Sequence, residues 1–399
     1  MMNASSALHA DGAGTLAWPR NAGMAVAASS ATRAEDAIAE IARELSGSDI
    51  GFLVLFISSH YQPEDIVAAL ARHLPGVQHA GCSTAGEIGR DGPTDSSIVA
   101  MAFPRRDFAI VAAPLESMKD FGIEHGSQLV SELRRRLAPT VGGVAGDLFA
   151  VTMLDGLCQR EELVLSALQG ALDDIPLVGG SSGDDLAFRN TFVIADGKAL
   201  RQAGILLLIR TTQPFRVFKS DHFEPTSKKL VVTACDPEMR IVTEFNAEPA
   251  KKVFAEATGL DPQHLDGTAF ASHPLLVRVG GEYYCRSIQK MNADGSLSFY
   301  CAIDNGVVLT VAKPKNMTEA LEATLCNLDE DLGGLDFVLG FDCIHRRLEA
   351  ESRHEKQKIA EIYRRFRVFG FYTYGEQFNA MHLNHTFTGV ALGHRQSPP

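Results

Sequence analysis

Two glycine-rich segments carry residue types and spacings that could do chemistry. Gly179-Gly180-Ser181-Ser182-Gly183 spells G-x-S-x-G, the nucleophile elbow that lifts a serine out of a strand–turn–helix junction. That chemistry needs a helix after the turn, to expose the hydroxyl and supply an oxyanion-hole amide. Here Asp184-Asp185 and then Phe188-Arg189-Asn190 lead into another strand pattern, and two carboxylates beside the serine would oppose a developing oxyanion. The segment reads as a glycine turn between strands, and an enzyme is not expected. Gly81-Cys82-Ser83-Thr84-Ala85-Gly86-Glu87 closes another strand pattern with small and hydroxyl residues, which let backbone N–H groups approach a ligand. It lacks the G-x-x-x-x-G-K-[ST] pattern of a nucleotide loop. No base or cation beside Cys82 argues for an activated thiol, so a tight turn lining a cleft is the favoured reading.

The thirteen histidines form no H-x-x-x-H or H-E-x-x-H pair, which leaves a zinc hydrolase poorly supported. A single axial histidine suffices for haem and leaves no spacing to read. The seven cysteines include no C-x-x-C, and no C-x-x-C-H for covalent haem attachment. Net charge is −12, and the one dense basic stretch, 346–365, is interleaved with Glu349, Glu351, Glu355 and Glu361. Nucleic acid is therefore not an expected partner. The first 20 residues lack the basic start and apolar run of a secretion signal. Apolar runs such as 205–209 are far too short to cross a bilayer. A cytoplasmic protein with no membrane partner is expected.

These residues need elements to position them, and the apolar periodicity supplies an alternation of strands and helices. Strands are expected at 24–29, 52–57 and 77–82, with helices at 35–45 and 63–74 between them. The short strands 98–103 and 108–113, separated by Pro104-Arg105-Arg106-Asp107, read as an antiparallel pair. Further strands fall at 148–153, 177–178, 191–195 and 204–209, with helices at 126–137 and 161–172. The second half is richer in strands: 230–233, 241–245, 275–279, 282–288, 297–303, 307–311 and 337–341. Gly280-Gly281 and Asp294-Gly295 supply tight reversals. A helix is expected at 317–328, one long helix at 345–366, and closing strands at 368–374 and about 383–392. With 399 residues, 45% hydrophobic and 22% charged, the chain has the composition of a two-domain globular protein. The expected fold class is α/β (mixed α+β), two domains with mixed sheets packed against helices. A flexible leader is expected at 1–22 and domains at 23–218 and 219–395. No internal repeat is evident.

Three segments carry a family resemblance. Gly81 to Ile88 resembles the signature of FIST N-terminal domains, and Val178 to Asp185 is similar to a second glycine turn of that domain. Gly370-Phe371-Tyr372-Thr373-Tyr374-Gly375-Glu376 resembles the signature of FIST C-terminal domains. The run from Gly375 to Gly389, with Arg346-Arg347-Leu348-Glu349, resembles the nitric-oxide-sensing (NosP) branch of that family in particular. The resemblance implies a sensor that binds b-type haem non-covalently, takes nitric oxide, and regulates a histidine kinase or a cyclic-di-GMP enzyme. It leaves a homodimer open. It implies cofactor contacts at Tyr372, Tyr374 and Glu376. His382 is the first candidate for the axial ligand, because it falls in the shared closing motif; His385 and His222 rank below it. If 382–388 is a strand, His382 shares a face with Asn384, Thr386 and Thr388, and His385 shares the other with Leu383 and Phe387. The alternative is a metal-free FIST module that senses a small metabolite such as an amino acid.

Overall fold

A computed structural model describes residues 24–395, apart from residues 117 and 139–143. The leader expected at 1–22 lies outside the described residues. The described strands form four sheets, three of them six-stranded and built to one plan. The expectation of a mixed α/β protein is met, but the sheets reveal a repeat that the sequence reading did not find.

Each of three consecutive units contributes four strands. In the first they are Ala25–Ser29, Phe52–Ser58, His79–Thr84 and Ile98–Phe103. In the second they are Phe108–Leu115, Asp147–Leu154, Leu177–Ser181 and Gly204–Thr211. In the third they are Phe215–Ser220, Leu335–Cys343, Val368–Thr373 and Phe387–Gly393. In every unit the spatial order is first, fourth, second, third, with the second and third strands parallel. Parallel neighbours need a crossover. Pro63–His73 and Glu161–Leu172 supply it in the first two units, and the pair Ile344–Ser352 and Lys356–Arg365 supplies it in the third. Helices on one face and neighbouring sheets on the other bury strands such as Phe52–Ser58 along their whole length, which explains their uninterrupted apolar runs.

The units are tied together by exchanged hairpins. Glu87–Gly89 and Gly92–Thr94 of the first unit pair with Val368–Thr373 of the third. Glu376–Phe378 and Met381–Leu383 of the third pair with Leu177–Ser181 of the second. Val193–Ala195 and Lys198–Leu200 of the second pair with His79–Thr84 of the first. Each hairpin covers the open edge of another unit's third strand, and the exchange closes on itself. Two sheets therefore take strands from both sides of the boundary expected at 218–219. The central core draws Phe56 and Phe103 from the first unit, Phe108 and Phe149 from the second, and Phe337, Phe341 and Phe371 from the third. Burying each such ring stabilises by about 1.5–3 kcal/mol.

Between Phe215–Ser220 and Met317–Leu332 the third unit carries an insertion. It is an eight-stranded sheet with helices Ala250–Thr258 and Gly267–Ser272, packed around Phe245, Phe254, Phe270 and Leu297. Gly280 and Gly281, both at positive φ, make the expected reversal between Leu275–Val279 and Glu282–Arg286.

Two expectations are corrected. Ile98–Phe103 and Phe108–Leu115 do not pair; they lie in different sheets, because Pro104 to Asp107 carries the chain from the first unit to the second. The single helix expected at 345–366 is two, broken where His354 takes a φ of 58°. Glu349 pairs with Arg353 at 2.9 Å, and Arg365 pairs with Glu322 at 2.6 Å.

Gly81, Gly179 and Gly370 occupy the same position in the three units, opposite Leu55, Thr152 and Gly340 of the parallel neighbour. At each, a β-carbon would fall inside contact distance of that neighbour's carbonyl oxygen. The sheets can close only where the side chain is a hydrogen. Gly179→Ala should therefore cost about 2–3 kcal/mol of stability through forced strand separation. Gly170→Ala, in the helix Glu161–Leu172 with open space around it, should gain about 0.5–1 kcal/mol. Denaturant midpoints of the two variants check this; similar values for both would refute the close-approach account.

Candidate functional site

The three segments singled out in the sequence meet at the centre of the ring. Ala85 N–H donates to the Tyr372 carbonyl (2.9 Å) and Tyr372 N–H to that of Gly86 (2.8 Å). Gly183 N–H donates to Ser83, Tyr374 N–H to Ser181, and Ser181 N–H to Gly375. No helix follows Ser181, and its hydroxyl is buried and accepts from Gln377 Nε2 at 2.9 Å, so the exposed-serine geometry of a nucleophile elbow is not formed. Cys82 is likewise fully buried, and burial pushes its thiol pKa up, opposite to an activated thiol.

Two of the turns repeat one arrangement. Glu87 accepts from the Thr84 hydroxyl, and its other oxygen accepts from Ser97 N–H (3.1 Å) and Ser97 Oγ (2.6 Å). Glu376 accepts from the Thr373 hydroxyl and from Thr386 N–H (3.1 Å) and Oγ1 (2.7 Å). The register makes Val193 the second unit's counterpart of these glutamates, so that unit lacks the acid. Burial raises the pKa of Glu87 to about 7 and that of Glu376 to about 8, against the lowering effect of their hydroxyl partners.

The residue before each hydroxyl, or its counterpart, turns the chain back into the fourth strand at positive φ: Ser96 at 55°, Gln202 at 51° and His385 at 54°. The closing strand expected at about 383–392 therefore begins only at Phe387, after the short strand Met381–Leu383 and this bend, and the face alternation drawn across 382–388 does not apply. In the third unit this bend lies in a buried cluster of polar and aromatic side chains beside the insertion. The His385 ring sits 4.6 Å from that of His345 and 5.6 Å from Phe223, and Tyr300 meets His345 edge-on at 4.8 Å. Both ring nitrogens of His385, Nε2 of His345, both amide atoms of Asn384 and Nη2 of Arg346 are buried without a hydrogen-bond partner. Burial holds both imidazoles neutral: it lowers the His345 pKa to about 4 and is the main cause that keeps the His385 pKa well below the ordinary histidine value, with the Arg346 guanidinium acting in the same direction.

The other expected ligands are placed differently. His222 is fully engaged: its Nε2 meets Glu349 at 2.8 Å and its Nδ1 meets Arg346 at 3.2 Å. Arg346 is itself held by Asp342 (2.6 Å), which also accepts from Tyr363. His382 lies against the backbone of Gly375, near the buried ion group Arg240–Glu161–Glu162. Its Nδ1 has no partner. Tyr372 is buried under the Arg347 guanidinium, 5.5 Å from its ring centre. The Tyr374 hydroxyl donates to Asp184 at 2.5 Å. Sequence reasoning named neither His345 nor the cluster; the one available signal was a histidine directly after the apolar strand pattern expected at 337–341. Among the described residues no three His, Cys, Asp or Glu side chains group as a metal site, but an axial haem ligand requires only one. A neutral, buried imidazole with unpaired nitrogens has the donor chemistry for that role. No described helix is long and apolar enough to cross a membrane.

The fold is a mixed α/β module in which the three glycine-rich turns meet. Residues 51–248 match the FIST N domain and residues 250–379 the FIST C domain. The chain belongs to the FIST family, whose domains are signal-transduction sensor domains. It is also similar to an uncharacterized protein of Methanocaldococcus jannaschii, with 21% identity over 390 residues, 86% of this chain and 74% of that protein.

The paired glutamates set a pH dependence. A carboxyl whose pKa is raised by folding contributes stability below its unfolded value, and that contribution is lost as pH rises through the folded value. Stability should therefore fall between about pH 5 and 8, by up to about 1.4 kcal/mol per pH unit for each proton released. Glu376→Gln, neutral at every pH, should flatten this slope. An unchanged slope in urea titrations across that range would contradict the buried-acid account.

Proposed function

We propose that this chain is a haem-based nitric oxide sensor in which His385 provides the axial imidazole. The observation that carries the reading is the buried His385 ring with neither nitrogen hydrogen-bonded, beside an equally unpaired His345 Nε2. Leaving such groups unpaired costs roughly 1–3 kcal/mol each, a cost that a bound ligand would recover. His382, first on sequence grounds, ranks second here because it lies against Gly375 amid the Arg240 ion group. His222 ranks last, since both its nitrogens are occupied.

Haem b, bound non-covalently, would supply an iron able to take nitric oxide. The protein's part is to hold the imidazole neutral, exclude water, and link the ligand to the fold. His385 sits in the bend between two short strands, and its neighbour Thr386 is fastened to Glu376 beside the central turns. A shift of the imidazole would therefore reach the meeting point of all three units. The output is regulation of a partner signalling enzyme, a histidine kinase or a cyclic-di-GMP enzyme, in the cytoplasm. Nucleic acid and membrane take no part in this reading, and a homodimer is compatible with it. A second reading, a small polar metabolite such as an amino acid at the same cluster, is supported by the unpaired amide of Asn384 and Nη2 of Arg346.

Purified protein loaded with haem and passed through gel filtration tests the proposal. Wild type should keep the cofactor and change its Soret band on adding nitric oxide. His385→Ala should lose at least tenfold in haem affinity, while His222→Ala should not. Loss in His382→Ala with retention in His385→Ala would move the axial role to His382. Protein that stays colourless but is stabilised by amino acids would select the metabolite reading.

A further inference from the structure

The second unit departs from the other two at one place. In the first and third units two residues, Ala85-Gly86 and Tyr374-Gly375, link the third strand to the exchanged hairpin. The same register positions in the second unit are Ser182 and Val193, so residues 183–192 make that link. This longer loop is strained and strongly fastened. Asp185, Leu186 and Phe188 all take positive φ (54°, 64° and 51°), a conformation costly for side chains of these types.

The fastening comes from two residues. The Asp184 carboxylate accepts from the N–H groups of Phe188 (2.9 Å), Arg189 (2.6 Å) and Asn190 (2.8 Å), and from the Tyr374 hydroxyl. That hydroxyl in turn accepts from Leu186 N–H at 2.7 Å, and the Phe188 ring stacks on Tyr374 at 4.7 Å. Leu186 and Phe188 nonetheless remain 37% and 42% exposed. Arg347 reaches Asp185 at 3.6 Å from the helix Ile344–Ser352, two residues on from His345. Tyr374 precedes Gly375, against which His382 lies.

We propose that residues 184–190 form a switch loop, latched by the Tyr374 phenol and spring-loaded by its own backbone, that opens without unfolding the ring. Two side chains connect it to the third unit, Tyr374 from the signature strand and Arg347 from the helix that carries His345. A ligand that displaces either element releases the loop; this coupling rests on the sensor reading above, whereas the latch itself does not.

The test uses the full chain. Hydrogen exchange of the 185–191 amides and tryptic cleavage after Arg189 are followed in wild type and in Tyr374→Phe, which keeps the ring stack but loses the hydroxyl. Both rates should rise at least tenfold in the variant, with exchange of the central strands unchanged. Adding Leu186→Gly, which relieves the strained conformation, should bring the rates back toward wild type. Equal loop rates in wild type and Tyr374→Phe overturn the latch, and so does a uniform rise across the chain, because the loop would then open only with the whole fold. In haem-loaded protein, nitric oxide should raise loop exchange; a Soret change without a loop change overturns the coupling. Failure to retain haem counts against the sensor reading, while the Tyr374→Phe comparison still decides the latch.

Discussion

Everything in this fold depends on an edge that must be covered. A unit of four strands ordered first, fourth, second, third leaves its third strand with one row of N–H and C=O groups unpaired. An exposed edge of that kind invites aggregation or pairing with another chain. Here each edge is covered by a hairpin from another unit, and because the exchange is cyclic, no unit is complete alone. The hairpins follow the three glycine-rich turns singled out in the sequence, so those turns are where the ring closes. Buried glutamates with hydroxyl partners in two of the turns, and close-packed glycines in all three units, follow from that closure.

Function departs from symmetry. The first unit holds the buried acid Glu87 on Thr84 and Ser97, and the second has Val193 in its place and a longer turn. The third keeps the acid but places a histidine at the positive-φ bend, where the first unit has Ser96 and the second Gln202. The insertion adds Phe223 and Tyr300 around that bend and shuts it from water. On the proposed reading, a sensor needs a buried site whose occupancy alters a junction of the fold, and His385 is the candidate. His385 lies next to Thr386, which is itself bonded to the ring-closing Glu376.

Much of this was legible in the sequence, and the failures have physical causes. Apolar runs located most strands because those strands are buried on both faces. Most strands of the exchanged hairpins escaped because strands of three residues show no alternation; Val193–Ala195, which lies within the strand expected at 191–195, is the exception. The repeat was spelled out in Thr84-x-Gly86-Glu87 and Thr373-x-Gly375-Glu376, each followed ten positions after the glutamate by a hydroxyl, Ser97 or Thr386. It was hidden because the second unit has lost those residues and the third is split by the insertion. Pairing 98–103 with 108–113 applied a local hairpin rule where the chain changes sheets. Face alternation misplaced His382 and His385 because it assumes extended backbone, which His385 does not have. A cluster made by residues from a strand end, a helix start and an inserted sheet has no spacing to read.

The most direct measurement is native-state hydrogen exchange at the amides that seal the ring: Ala85, Tyr372, Ser181 and Tyr374. If the exchanged hairpins make one cooperative structure, all four exchange only through global unfolding and report one common free energy, equal to that from denaturant melts. A seal that opens at a clearly lower free energy while the other strands stay protected would contradict the closed ring and the functional account built on it.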